Sequence, residues 1–121
     1  MAGGISIHVV DVSRSKKAAG LKVSLYRLED AGRVLVAKGQ IGADASLDHP
    51  CVQGAGVTRG RYEAVFHLAD WYRAEGVALP EIPFLERAVY RFGLDDAAQH
   101  YHLPLKMTPW GFSLFLTRWL P

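Results

Sequence analysis

The chain has 121 residues, of which 50% are hydrophobic, and its formal net charge at pH 7 is +2. A chain of this length is expected to form a single domain, residues 1–121, large enough to fold without disulfides. Scattered basic residues give little support for a nucleic-acid partner. The lone Cys51 fits a reducing compartment, and neither a secretory signal nor a run of ~18 apolar residues for a membrane span is present. We therefore predict a soluble cytoplasmic protein with neither nucleic-acid nor membrane partners.

Alternation of apolar and polar residues predicts a protein built mainly of short strands. The predicted strands cover residues 5–11, 21–28, 33–40, 57–67, 84–93, 100–107 and 113–119. One helix is expected over residues 68–76, because Leu68, Trp71 and Tyr72 recur at helical spacing and Gly76 is a natural stop. Seven or eight strands with one brief helix indicate an all-β, antiparallel sandwich.

The stretch from residue 100 to residue 113 carries the clearest functional signal. It reads as a strand, a turn at Thr108-Pro109-Trp110-Gly111 and a second strand. Alternation divides the first strand into an apolar core face and a second face. The core face comprises Tyr101, Leu103, Leu105 and Met107, and the second face comprises His100, His102, Pro104 and Lys106. Two imidazoles and an ammonium on one face predict a surface that meets a ligand.

Four blocks of sequence carry a resemblance to a known family. The blocks are residues 7–11 with 18–23 and 25–27, residues 62–67, residues 79–85, and residues 92–93 leading to the His-Tyr-His-Leu-Pro-Leu run at 100–105. In these blocks and their spacing the chain resembles the transthyretin-like family, specifically the bacterial 5-hydroxyisourate hydrolases. The resemblance implies an eight-stranded sandwich with one short helix, assembled as a homotetramer with active sites in a channel between dimers. It also implies hydrolysis of an amide bond in the ring of 5-hydroxyisourate, a small-molecule substrate, with no cofactor.

The resemblance also assigns individual residues. His8 and His102 match the family's two active-site histidines. The family's active-site arginine ends a turn that matches residues 42–46, so that Ser46 stands in its place. The family's terminal Tyr-Arg-Gly-Ser matches residues 115–118, and Phe115 therefore replaces the tyrosine.

These replacements change the expected chemistry. Amide hydrolysis needs a base that activates water, a proton donor for the leaving nitrogen, and groups that stabilise the developing oxyanion. His8 and His102 can serve the first two needs, whereas Ser46 cannot grip ring oxygens as a bidentate arginine does. Lys106 shares the face of His102 and is expected to supply part of the missing positive charge. Ser113, Phe115 and Thr117 share one face of the last strand and are expected to line a less polar channel, suited to a methylated isourate or another lactam.

Two other interpretations remain open at this point. His8, His100 and His102 offer three imidazoles for zinc, although no acidic or fourth ligand has suitable spacing, and we predict no metal. The replacements at Ser46 and Phe115 are also compatible with a non-catalytic small-molecule carrier or scaffold that retains the fold but has lost the hydrolase activity.

Overall fold

The computed structural model describes residues 4–47 and 57–116, which form eight strands and one helix. The strands are β1 (Gly4–Asp11), β2 (Lys16–Lys17), β3 (Lys22–Glu29), β4 (Gly32–Gln40), β5 (Gly60–Phe66), β6 (Ala88–Leu94), β7 (His100–Thr108) and β8 (Gly111–Leu114), and the helix is α1 (Leu68–Ala74). Within these residues no helix has the length and hydropathy needed to cross a membrane.

Two four-stranded sheets pack face to face, in the orders β2-β1-β7-β8 and β4-β3-β5-β6. Alternate residues of β1 and β7 are buried between the sheets, as period-two patterning requires. On β1 the buried residues include Ile5, Ile7 and Val9. On β7 they are Tyr101, Leu103, Leu105 and Met107, which confirms the predicted core face. The predicted sandwich of about eight strands with one short helix is therefore confirmed.

One strand pair departs from the antiparallel expectation. β1 and β7 run parallel, with Ser6 opposite His102 and His8 opposite Pro104, whereas the other strand pairs of the described residues are antiparallel. A hairpin forces antiparallel pairing, but a parallel pair requires a long crossover. Here the chain builds the whole second sheet between β1 and β7, so its direction on return is not constrained by a hairpin.

Several predicted element boundaries are corrected by the structure. The strand predicted over 84–93 is wrong in its first half, because β6 starts at Ala88 and Phe84 is 82% exposed in the preceding loop. The helix ends at Ala74, two residues before Gly76, and the strand predicted over 57–67 is confined to β5. Of the last predicted strand, 113–119, only Ser113 and Leu114 lie in β8, and its residues 117–119 lie outside the described residues.

Helix α1 is tied to β1 by a buried carboxylate. The side chain of Asp11 is fully buried and accepts hydrogen bonds from the Tyr72 hydroxyl at 2.8 Å, the Arg14 Nε at 2.7 Å and the Ser13 hydroxyl at 2.6 Å. Burial alone would raise the pKa of Asp11, but these donors outweigh it and the pKa is lowered. The helix is also held by the Trp71 indole, which donates a hydrogen bond at 2.8 Å to the Ala19 carbonyl, in the segment between β2 and β3.

Candidate active site

The outer face of the β1–β7 pair brings the two predicted catalytic histidines together. His8 and His102 are both half-buried, and their ring centroids are 6.4 Å apart with a tilt of 48° between the planes. Residues at alternate positions of both strands point to this face, so the parallel register decides which side chains become neighbours. A single water can reach hydrogen-bond distance of both rings across such a gap.

Ser6 joins this pair through a contact that the sequence did not predict. Its hydroxyl oxygen lies 2.7 Å from Nδ1 of His102 and 2.8 Å from Nε2 of His100. Alternation places Ser6 on the face of His8, but only the register of β1 against β7 sets it opposite His102.

The turn at residues 42–46 places Ser46 beside His8. The Val9 N–H donates to the Ala45 carbonyl at 2.8 Å, and His8 and Ser46 lie directly opposite each other as an isolated bridge. Within the turn, the Ser46 N–H donates to the Asp44 carboxylate at 3.0 Å. Ala45 is fully buried and has a φ of +70°, in the left-handed region that favours glycine. The position to which the resemblance assigns the family's arginine therefore adjoins His8.

Lys106 lies on the same face, but further along the sheet. It pairs with Val10 on β1 and with Ser113 on β8. His8 pairs with Pro104, so Lys106 lies two residues beyond the row of His8, roughly 7 Å along the strand at about 3.3 Å per residue. A lysine side chain can span such a distance. The Lys106 ammonium can therefore reach a molecule bound at the histidines without contacting His102.

A second cation on this face was missed by the sequence reasoning. Lys17 pairs with Val10 and therefore lies in the same row as Lys106 and Ser113. β2 has only two residues, and a polar segment that short gives no strand signal in the sequence. Lys17 is exposed, as is Lys106.

Two of the remaining predicted residues lie on or directly after the edge strand β8. Ser113 is exposed on β8, and Phe115 follows that strand with 50% of its surface exposed. Thr117 lies outside the described residues.

Burial, followed by the neighbouring His8 and His100, lowers the pKa of His102 below the ordinary value of 6.5. The neutral ring therefore predominates at neutral pH and can accept a proton. The described residues contain no group of three His, Cys, Asp or Glu side chains arranged to hold a metal ion. The point on which ring nitrogens of His100 and His102 converge is occupied by the Ser6 hydroxyl.

Two packed four-stranded sheets with one short helix are the architecture of the transthyretin-like class of protein. The sequence profile of the HIUase/Transthyretin family matches residues 5–116, and the chain belongs to this family.

Similar proteins support this assignment. The chain is 43% identical over 114 residues to 5-hydroxyisourate hydrolase 2 of Rhizobium meliloti (strain 1021), covering 94% of this chain and 95% of that protein. It is 39% identical over 113 residues to 5-hydroxyisourate hydrolase of Pseudomonas aeruginosa, covering 93% of this chain and 90% of that protein. A crystal structure of (S)-allantoin synthase matches with a TM-score of 0.88 and 30% identity, covering 96% of this chain but only 44% of that chain. The resemblance predicted from sequence blocks is confirmed at the level of family and fold.

Proposed function

We propose that this protein hydrolyses a cyclic amide in a 5-hydroxyisourate-like substrate, with His8 and His102 handling water and protons. The observation that carries the proposal is the 6.4 Å separation of the two rings on an accessible face. The names of the relatives supply the substrate class. A neutral His102, with its lowered pKa, is suited to take a proton from the attacking water.

Ser46 and Phe115 set the substrate preference in this proposal. Ser46 adjoins His8 and offers a hydroxyl, which can make one hydrogen bond to a ring oxygen but provides no charge. Phe115 offers an apolar surface at the edge of the same face. A site with fewer polar partners favours a substrate with fewer N–H groups, so a methylated hydroxyisourate is the preferred substrate.

Lys106 supplies the positive field that Ser46 lacks. Its row lies two residues from that of His8, and its ammonium forms no ion pair with another described residue. An ammonium acts as a point charge and can stabilise a developing oxyanion without the planar fit of a guanidinium.

Other copies of the chain close the site in this proposal. The histidine face is not covered by another element of the chain's described residues, and Phe115 and Leu116, which follow the edge strand β8, are 50% and 46% exposed. Apolar side chains beside an open polar site are typical of a surface that an identical subunit covers. The resulting assembly is a homotetramer, as the family resemblance implies.

The test is the ultraviolet decay of freshly generated 5-hydroxyisourate and of its trimethylated analogue, with and without the purified protein. We expect acceleration of both, greater for the methylated compound, and a loss of at least 100-fold in His102→Asn. Asn retains a side-chain hydrogen-bonding group but does not titrate, so this variant isolates proton transfer. Acceleration that persists in His102→Asn would contradict the assigned role.

A non-catalytic carrier is the alternative function, and it is favoured by Ser46, a neutral side chain at the position to which the resemblance assigns an arginine. If neither compound decays faster with the protein, hydrolysis of these substrates is wrong. Calorimetric binding of urate or trimethylurate to the intact protein would then support the carrier.

A further inference from the structure

The Ser6 hydroxyl links two imidazoles of β7. It lies 2.7 Å from Nδ1 of His102 and 2.8 Å from Nε2 of His100, both hydrogen-bond distances. A serine hydroxyl has a single proton to donate, while its oxygen can accept. When it donates to one of these nitrogens, the other nitrogen must supply its own proton to complete the second bond. One of the two nitrogens is therefore protonated and the other is bare.

The same constraint also determines whether Nε2 of His102 carries a proton. Because Nδ1 bonds to Ser6, Nε2 is the ring nitrogen left for water or substrate. A neutral imidazole carries one proton, so protonation of Nε2 is the opposite of protonation of Nδ1. When His100 donates to Ser6, Nε2 of His102 bears a proton and can act as an acid. When Nε2 of His100 accepts, Nε2 of His102 is bare and can act as a base.

We propose that Ser6 and His100 are positioning residues that set the tautomer of His102 and relay its protons. Their kinetic role rests on the hydrolase function proposed above. His102 starts with Nδ1 protonated and Nε2 bare. As Nε2 takes a proton from the attacking water, the Nδ1 proton passes to the Ser6 oxygen and the Ser6 proton passes to Nε2 of His100.

The return path balances the protons. The water-derived hydroxide has added to the amide carbonyl, and Nε2 of His102 gives its proton to the leaving nitrogen as the C–N bond breaks. In the same step the extra proton on His100 passes to the Ser6 oxygen and the Ser6 proton passes to Nδ1 of His102, so that His102 remains neutral. The proton of the attacking water ends on the leaving amine, and both histidines regain their initial state.

The surroundings favour a single extra proton on this pair. Among the described residues, the outer face also carries His8 on β1, Lys17 on β2 and Lys106 on β7, while β8 contributes the uncharged Ser113 and the adjoining turn contains Asp44. Burial and the two neighbouring histidines already lower the pKa of His102. A second proton on the linked pair would meet both burial and like charge.

The first test needs no substrate. Multiple-bond ¹H–¹⁵N correlation spectra of the intact protein, with ¹⁵N-labelled histidine, report which ring nitrogens carry protons. At neutral pH we expect Nδ1 of His102 to be protonated and Nε2 of His100 to be bare. Both nitrogens bare, or both protonated, in the native protein would overturn the proposal without any variant.

Variants of Ser6 test the link itself. Ser6→Ala should release both rings into tautomer mixtures, whereas Ser6→Thr, which keeps the hydroxyl and suits a strand, should retain the native pattern. Ser24→Ala on β3, in the opposite sheet, is the matched control and should also retain it. Native tautomers in Ser6→Ala would show that the hydroxyl does not set them.

Kinetics test the role in turnover. We expect Ser6→Ala to lower kcat about 100-fold with little change in KM, and Ser6→Thr to restore most of it. Equal kcat in native protein and Ser6→Ala would overturn the relay. If the native protein shows no turnover, the proposed hydrolase function is wrong. The NMR spectra then still test whether Ser6 sets the tautomers of His100 and His102.

Discussion

Ala45 shows how a single residue's conformation positions the candidate site. Its φ of +70° costs a residue with a Cβ roughly 1–2 kcal/mol relative to an ordinary conformation. The Ala45 side chain is fully buried, and its carbonyl accepts the Val9 N–H at 2.8 Å. These contacts hold the turn in register with β1, and the next residue, Ser46, then lies opposite His8. The strained backbone conformation of Ala45 is thus tolerated because it places Ser46 opposite His8.

The charge of Lys106 provides a prediction at the same scale. Lys106→Met keeps an unbranched side chain of similar length but removes the ammonium, so turnover should fall about tenfold, the effect of losing ~1.4 kcal/mol of electrostatic stabilisation. The measurement is kcat/KM for the substrate that decays in the ultraviolet assay. Lys22→Met, at an exposed position in the opposite sheet, should retain native kcat/KM. Unchanged kcat/KM in Lys106→Met would remove this residue from the site.

At the scale of secondary-structure elements, Asp11 links strand β1 to helix α1. It ends β1, its carboxylate accepts from Arg14 in the following turn, and it accepts from Tyr72 on α1. Burial, followed by the hydrogen bond to Asp11, raises the pKa of the Tyr72 hydroxyl, which therefore stays protonated and acts as a donor throughout the ordinary pH range. One buried anion with several donors thereby fixes the helix against the sheet that carries the histidines.

Removing the Tyr72 hydroxyl should destabilise the fold in a pH-dependent way. Tyr72→Phe leaves the buried Asp11 short of one donor and should lower the free energy of unfolding by about 2 kcal/mol at pH 7. The folded pKa of Asp11 is depressed below 3.8, so its contribution is full above that pH and is lost as pH falls through the folded pKa. Tyr72→Phe removes one of the donors that lower the pKa of Asp11. The difference in the free energy of unfolding between this variant and the native protein should therefore shrink towards pH 3.

Urea unfolding at pH 7 and pH 3, at fixed protein concentration, measures both effects. Tyr90→Phe on β6 is the control, because the Tyr90 hydroxyl makes no hydrogen bond among the described residues, and it should change stability by less than about 0.5 kcal/mol. An equal deficit at both pH values would contradict the role of Asp11 ionisation.

At the scale of the whole molecule, the two sheets leave apolar surface outside the core. Phe115 and Leu116 follow β8, an edge strand of the sheet that carries the histidines, and Val34 on the edge strand β4 of the other sheet is 51% exposed. Only the first of these patches lies on the sheet that carries the proposed active site, so a second copy bound there would also shield the reacting groups from bulk solvent. Oligomeric state and turnover should therefore change together.

Light scattering should give a mass four times the 13.3 kDa of the chain. Phe115→Glu places a charge on the proposed contact and should yield smaller species with reduced turnover, because burying an unpaired carboxylate is unfavourable. Val34→Glu carries the same charge at the distant edge and should remain tetrameric. A native monomer, or a fully active Phe115→Glu tetramer, would exclude closure of the site by this contact.

Sequence by itself determined the local features of this protein. Period-two alternation placed Tyr101 and Leu103 in the core and His102 on the opposite face, and helical spacing located α1, because these patterns depend on residues a few positions apart. The blocks that carry the family resemblance were not needed for those assignments, but the resemblance was needed to select His8 and His102 as a pair.

Only the tertiary structure decided the parallel register of β1 and β7, the place of Lys17 and the link through Ser6. Ser6 and His102 are 96 residues apart, and alternation fixes the face of each strand but not its partner or alignment. The partner and alignment depend on how the second sheet, which lies between the two strands in sequence, packs against the first. The chemistry of the face was therefore readable in the sequence, whereas its proton connections were created by folding.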